Sequence, residues 1–301
     1  MFKNTCLYIY NLTFYYIKRI REYGFFRINY FFLFNLVTYF KTFFKRKNFL
    51  DKEEILTFKR SNTIFIFGSG YSLNNIKKKE WGVFEKNDTL GFNHFLKQNW
   101  ISLSFHLLRG WSEGFVDSSA GYKSFTEINR LISKNKFFKK TVFITQNEPS
   151  AIIGNTFINM QNFANYKKIY PYKTEKKKNY PNYDNPHKFC HHNSTLFDAL
   201  SFAYIMKWKK IVLVGVDLYD TRYFFLDNDK TLFTDYKTGL QKASKYSDRN
   251  QRFDQNHSTF NKLFLEKIKL WKLKFKQEGI NLYVYNPKSL LKKILPIYKI
   301  K

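Results

Sequence analysis

A chain of 301 residues can form one large α/β domain with an accessory segment, or at most two domains. With 44% hydrophobic and 21% aromatic residues it has ample material for a core, and its two cysteines, Cys6 and Cys190, exclude a disulfide scaffold and fit a reducing cytoplasm. The formal charge of +29 attracts polyanions, yet an AT-rich coding sequence produces the same Lys, Asn, Phe, Tyr and Ile excess, so only the placement of charge informs.

Residues 1–60 form a basic, aromatic segment. Lys18, Arg19, Arg21, Glu22 and Arg27 interrupt its apolar residues, which argues against a cleavable signal. Its long uncharged runs, Asn4 to Ile17 and Ile28 to Phe40, have 14 and 13 residues, short of the ~20 a spanning helix needs. Dense Phe and Tyr beside Lys41, Lys45, Arg46 and Lys47 predict a helical segment lying on an anionic membrane surface; the alternative is a pair of amphipathic helices packed on the domain. Residues 51–62 read as a linker. From 63 onward, short apolar runs alternate with helical stretches, the pattern of a parallel sheet with crossover helices, so residues 61–301 form an α/β domain. The runs predict strands over 63–67, 88–92, 101–106, 141–145, 210–214 and 281–285, and helices over 72–80, 122–134, 194–207 and 257–278. The last helix has an apolar stripe of Phe260, Leu263, Phe264, Ile268, Trp271 and Phe275, with Gly279 as its stop. Residues 166–193 and 220–256 lack periodicity and read as long loops, the second as a lid.

Four stretches carry candidate chemistry. Gly68-Ser69-Gly70-Tyr71-Ser72-Leu73 follows the first apolar run and is either a plain βα turn or a backbone cradle for an anion; it has neither the P-loop nor the G-x-G-x-x-G spacing. The run 210–217 ends at Asp217, followed by Tyr219, Asp220, Arg222 and Tyr223, and strand ends of this kind face ligands in open α/β sheets. Asn193 or Ser194 caps the next helix, with Thr195 and Asp198 as a capping-box-like pair. His257 opens the last helix, where the helix dipole disfavours imidazolium and suits a general base. Neither the His187, Cys190, His191, His192 cluster nor the Asp227-Asn228-Asp229 loop has convincing metal-ligand spacing, and no metal is expected.

The order of these pieces resembles the bacterial sialyltransferases of glycosyltransferase family 42, over about residues 63–295 and most strongly at 208–219 and 257–291. The resemblance implies a Rossmann-like, mostly parallel sheet flanked by helices with a mobile lid at about 220–256, and metal-free inverting transfer from a CMP-activated sialic-acid-like donor. It implies His257 as base, with Tyr219 and Tyr223 at the leaving phosphate. Gly68, Ser69, Gly70, Ser72, Asn93, Ser194, Thr195 and Asp217 would surround the nucleotide, and "NPKSLL", 286–291, matches a C-terminal family element. The chain departs from the family pattern in having Ser69 for an Asn, His106 at or near a third-strand Asn, and His192 where an Arg precedes the helix; its tyrosines are also two residues closer together.

The implied partners are a CMP-activated donor, a glycan or glycolipid acceptor such as lipooligosaccharide, and the inner face of the inner membrane; no cofactor and no nucleic acid are expected, and oligomerisation is left open. The alternatives are a related protein using a nonulosonate or Kdo-type donor or glycosylating flagellin, a non-catalytic nucleotide-binding scaffold, and a nucleic-acid binder, although no nucleic-acid motif is present.

Overall fold

The computed structural model describes residues 48–109, 130–146, 167–175, 178–218, 223–225 and 262–300, the backbone of 232–234 and 241–243, and isolated helical positions between 17 and 33. The strands are β1 (Thr63–Phe67), β2 (Asp88–Phe92), β3 (Phe105–Leu108), β4 (Val142–Gln146), β5 (Ile169–Glu175), β6 (Lys188–Cys190), β7 (Lys210–Val214), β8 (Leu232–Thr234), β9 (Gln241–Ala243) and β10 (Asn281–Val284). Eight of them build one sheet in the order β10-β7-β1-β2-β3-β4-β5-β6, and every pairing in it is parallel. This is a Rossmann-like α/β architecture. β8 and β9 form a separate antiparallel pair inside the stretch expected to be loop.

Parallel strands buried on both faces read as unbroken apolar runs, and β1 ("TIFIF") and β7 ("KIVLV") are such runs. Ile64, Ile66, Leu90, Phe92, Phe105, Leu107, Ile211 and Leu213 point to one face. There α3 (Thr195–Ile205) and α4 (Lys262–Gln277) cover them; α1 (Lys52–Leu56) and α2 (Lys78–Glu85) precede these in the chain. Phe65, Phe67, Phe143, Val212 and Val214 point to the other face, beneath Trp81 and Phe84 of α2 and the single turn Asn93–Lys97. In α4 the buried stripe is Phe264, Ile268, Trp271 and Phe275, whereas Leu263 is 56% exposed, and Gly279 ends the helix at φ +70°. Phe260 lies outside the described residues.

Several expectations change. Residues 51–62 are packed structure rather than linker: Asp51 caps α1 through a reciprocal capping box with Glu54, Ile55 is fully buried, and the Arg60 and Ser61 amides donate to Asp88. Leu50 N–H donates to Ile169, so the domain already includes residue 50. The expected loop 166–193 supplies the edge strand β6 and its neighbour β5, where Pro171, Lys173 and Lys188 break the apolar run that marks a central strand. The helix expected over 72–80 is a 3-10 turn, Tyr71–Asn75, followed by α2. β3 starts later than expected because Gln98 folds 98–101 into a turn, accepting from the Trp100 and Ile101 amides. Of the helix expected over 122–134, residues 130–134 are described and helical. In the N-terminal segment Phe25, Phe26 and Leu33 are well exposed, and no helix among the described residues is long and apolar enough to cross a membrane.

Candidate functional site

The chain runs from β1 to β6 along one side of the sheet, then returns through α3 to place β7 on the other side of β1. The strand order therefore reverses between β1 and β7, the position beyond whose carboxyl ends open α/β sheets bind ligands. Here the two strands are knit together. The amides of Gly68 and Gly70 donate to Val214 and Gly215 carbonyls, each at 2.8 Å. A Cβ on Gly68 would lie 2.5 Å from the Gly215 carbonyl oxygen, and one on Gly70 would lie 2.7 Å from the same atom. Both glycines are thus required by close strand approach, and two of the amides expected to face an anion bind β7 instead.

Ser72 and Asp217 also meet each other. The Asp217 carboxylate accepts from Ser72 N at 3.0 Å, Ser72 Oγ at 2.5 Å and Asn286 Nδ2 at 2.8 Å. Ser289 Oγ donates to the Val216 carbonyl, which docks the "NPKSLL" element against the end of β7. Asp217 is 3% exposed. These residues form a structural junction that joins the turn after β1 to the end of β7 and to the C-terminal element.

Other expected residues do reach the carboxyl edge. Asn93 directly follows β2 and is partly exposed in the left-handed region, φ 52°. Tyr223 pairs its backbone with Gly70 and lays its ring over Phe225 at 5.3 Å and against His94 at 5.1 Å. Burial, with help from the charge of Lys97, lowers the pKa of His94. The Ser69 carbonyl accepts from Phe224 N. Tyr219 and His257 lie outside the described residues, as do Asp220, Arg222 and the Asp227–Asp229 loop.

The amino end of α3 adds a second group. Ser194 is its cap, with Oγ accepting from Leu196 N, while the hydroxyl of partly exposed Thr195 makes no hydrogen bond among the described residues. His192 and Asn193 turn into the helix with φ 43° and 61°, a left-handed pair that non-glycine residues adopt at a cost. Asp198, expected to assist the cap, is fully buried and turns instead to an imidazole and a guanidinium. Its Oδ2 accepts from His191 Nδ1 at 2.7 Å and from Arg109 Nη1 at 3.2 Å. Its Oδ1 is buried without a partner among the described residues.

Arg109 was not foreseen. Strand alternation explains its place: Phe105 and Leu107 point toward α3, and two residues further Arg109 does the same past the end of β3. His106 points the other way. It packs on Phe138 and Phe143 with no exposure, and burial pushes its pKa down to about 3. The third-strand position of the resemblance is therefore core, and the polar residue at that strand's end is Arg109.

The histidine cluster disperses. His187 stacks on Tyr170 at 4.7 Å, His191 binds Asp198, and His192 Nε2 meets the Asn179 carbonyl at 2.9 Å. Cys190 is buried, which pushes its thiol up to about 12. Among the described residues no three His, Cys, Asp or Glu side chains gather as a metal site requires. A cavity of about 420 Å³ opens at the β5–β6 edge, lined by residues including Tyr172, Lys173 and His187, and contains none of the expected site residues.

No family model, curated protein or solved structure matches the chain.

Proposed function

We propose that the protein is an inverting glycosyltransferase that moves a sialic-acid-like sugar from a CMP-activated donor to a hydroxyl of a cell-surface glycan, without a metal. The observation that carries this reading is that Asn93, Tyr223 and the Ser194-Thr195 start of α3, tied to the end of β3 through Arg109 and Asp198, all stand at the carboxyl edge of a parallel sheet, where such sheets bind nucleotides. The amino end of α3, an 11-residue helix, favours a phosphate through its dipole, and Thr195 offers an uncommitted hydroxyl beside it.

In this reading His257 takes the proton of the acceptor hydroxyl as that oxygen attacks the anomeric carbon. Tyr219 and Tyr223 donate hydrogen bonds to the CMP phosphate as charge develops on it. Gly68, Gly70, Ser72 and Asp217 act one layer below, by fixing where Ser69 and Tyr223 stand. Exposed Phe25, Phe26 and Leu33 beside Arg21 suit an N-terminal segment seated at an anionic membrane face, near a lipid-linked acceptor.

Incubation with CMP-N-acetylneuraminate and a galactose-terminated glycolipid in anionic vesicles should release CMP and yield a glycoside of inverted anomeric configuration. CMP release from none of the CMP-activated nonulosonate and Kdo donors would count against the reading.

A further inference from the structure

Outside the residues that the proposed function assigns, the described structure holds one cluster built for proton transfer: His191, Asp198 and Arg109. A carboxylate only accepts hydrogen bonds, so the 2.7 Å contact to Asp198 Oδ2 requires the proton of His191 on Nδ1. Nε2 is then the nitrogen that takes up or releases a proton, and it has no hydrogen-bond partner among the described residues. The His191 side chain is 17% exposed and the Asp198 side chain fully buried, so the imidazole stands between the carboxylate and solvent. A buried acid orienting an exposed imidazole is the arrangement that proton-transferring histidines use. Arg109, with 26% of its side chain exposed, braces the same carboxylate oxygen and keeps its other guanidinium donors available.

The placement says which proton is moved. His191 lies three residues before Ser194, the cap of α3, and Asp198 lies in the first turn of that helix. A phosphate held at this helix end therefore has His191 and Arg109 beside it. Asp198 is set behind them, its charge shared between the two. Of the charged groups from other elements, Glu175 of β5 and Lys178 act on Cys190, next to His191, and Lys267 of α4 acts on His192 and donates to Asn179.

We infer that His191, held by Asp198, is the proton donor to the departing phosphate of the nucleotide donor, with Arg109 as the cation that stabilises the charge. This rests on the CMP-donor reading above. As the bond between the anomeric carbon and the phosphate oxygen breaks, its electron pair goes to that oxygen, and the oxygen takes the proton from His191 Nε2. The acceptor hydroxyl proton goes to the base on the opposite side, and solvent reprotonates His191. Asp198 is a positioning residue.

The test measures CMP release and CMP-induced thermal shift on the same preparations of wild type, His191→Gln, His191→Gly and Asp198→Asn. His191→Gln should slow release by about 10²–10⁴-fold with the CMP shift preserved. Added imidazole should restore a good part of the rate to His191→Gly, and none to Asp198→Asn. Release by His191→Gln within about tenfold of wild type overturns the proton-donor role alone. So does loss of the CMP shift in that variant, since His191 is then a binding contact, and so does failure of imidazole rescue. Absence of a CMP shift in wild type overturns the donor reading and this role with it.

Discussion

Replacing Asp217 with Ala removes the acceptor that joins the turn after β1 to the end of β7. Three donors lose it: Ser72 N, Ser72 Oγ and Asn286 Nδ2, at 3.0, 2.5 and 2.8 Å. The serine hydroxyl and the asparagine amide can rotate toward other partners, but the Ser72 amide is fixed by backbone and buried. One stranded donor together with two lost charge-assisted bonds costs about 3–5 kcal/mol. For a domain of this size that is a fall in melting temperature of roughly 10 °C. Asp217→Asn keeps one acceptor oxygen but turns an amide toward Ser72 N, so about half the effect remains. Circular dichroism melts without nucleotide measure it. If Asp217→Ala melts within about 2 °C of wild type yet loses CMP binding, the carboxylate serves the ligand and the junction account is wrong.

Three further outcomes follow from the same geometry. Gly68→Ala forces a Cβ to 2.5 Å from a backbone oxygen on the neighbouring strand and should lower stability by about 3 kcal/mol, read as a shifted urea midpoint at constant slope; an unchanged midpoint shows that β1 and β7 can part freely. Burial depresses the pKa of His106 to about 3, so the unfolded chain binds a proton there that the folded chain does not, and stability falls as pH drops below about 6.5. The share of this residue is about 2 kcal/mol at pH 5 and should vanish in His106→Asn, which keeps only the loss due to His94 and the other groups; equal slopes between about pH 5 and pH 7 in both proteins refute it. Tyr223→Phe should lower kcat by about 10²-fold with KM little changed, and an effect confined to KM removes its role at the leaving phosphate.

Legibility in the sequence followed burial and locality. β1, β2, β4 and β7 were readable because inner strands covered on both faces become short apolar runs, and the edge strand β10 because Leu282, Tyr283 and Val284 still form one. β5 and β6 were not: Pro171, Lys173 and Lys188 stand where an apolar run would have Ile or Val. α1 was hidden because a five-residue helix with one buried side chain, Ile55, has no period to detect. At the site, local chemistry narrowed the cap of α3 to Asn193 or Ser194, and it is Ser194. The contact of Arg109 with Asp198 joins residues 89 apart, so no local pattern marks it, and Asp198 read naturally as part of the cap. The glycines of "GSG" were singled out for the right positions, but the contact that requires them is the neighbouring strand.

Thermal shift with CMP, UDP, GDP and ADP bears most directly on the proposed donor class. A ligand at a hundred times its Kd stabilises by about 2.7 kcal/mol, which for this domain is a rise of roughly 5–10 °C. The account predicts that rise with CMP and little or none with the other three. A rise with UDP, GDP or ADP and none with CMP would contradict it.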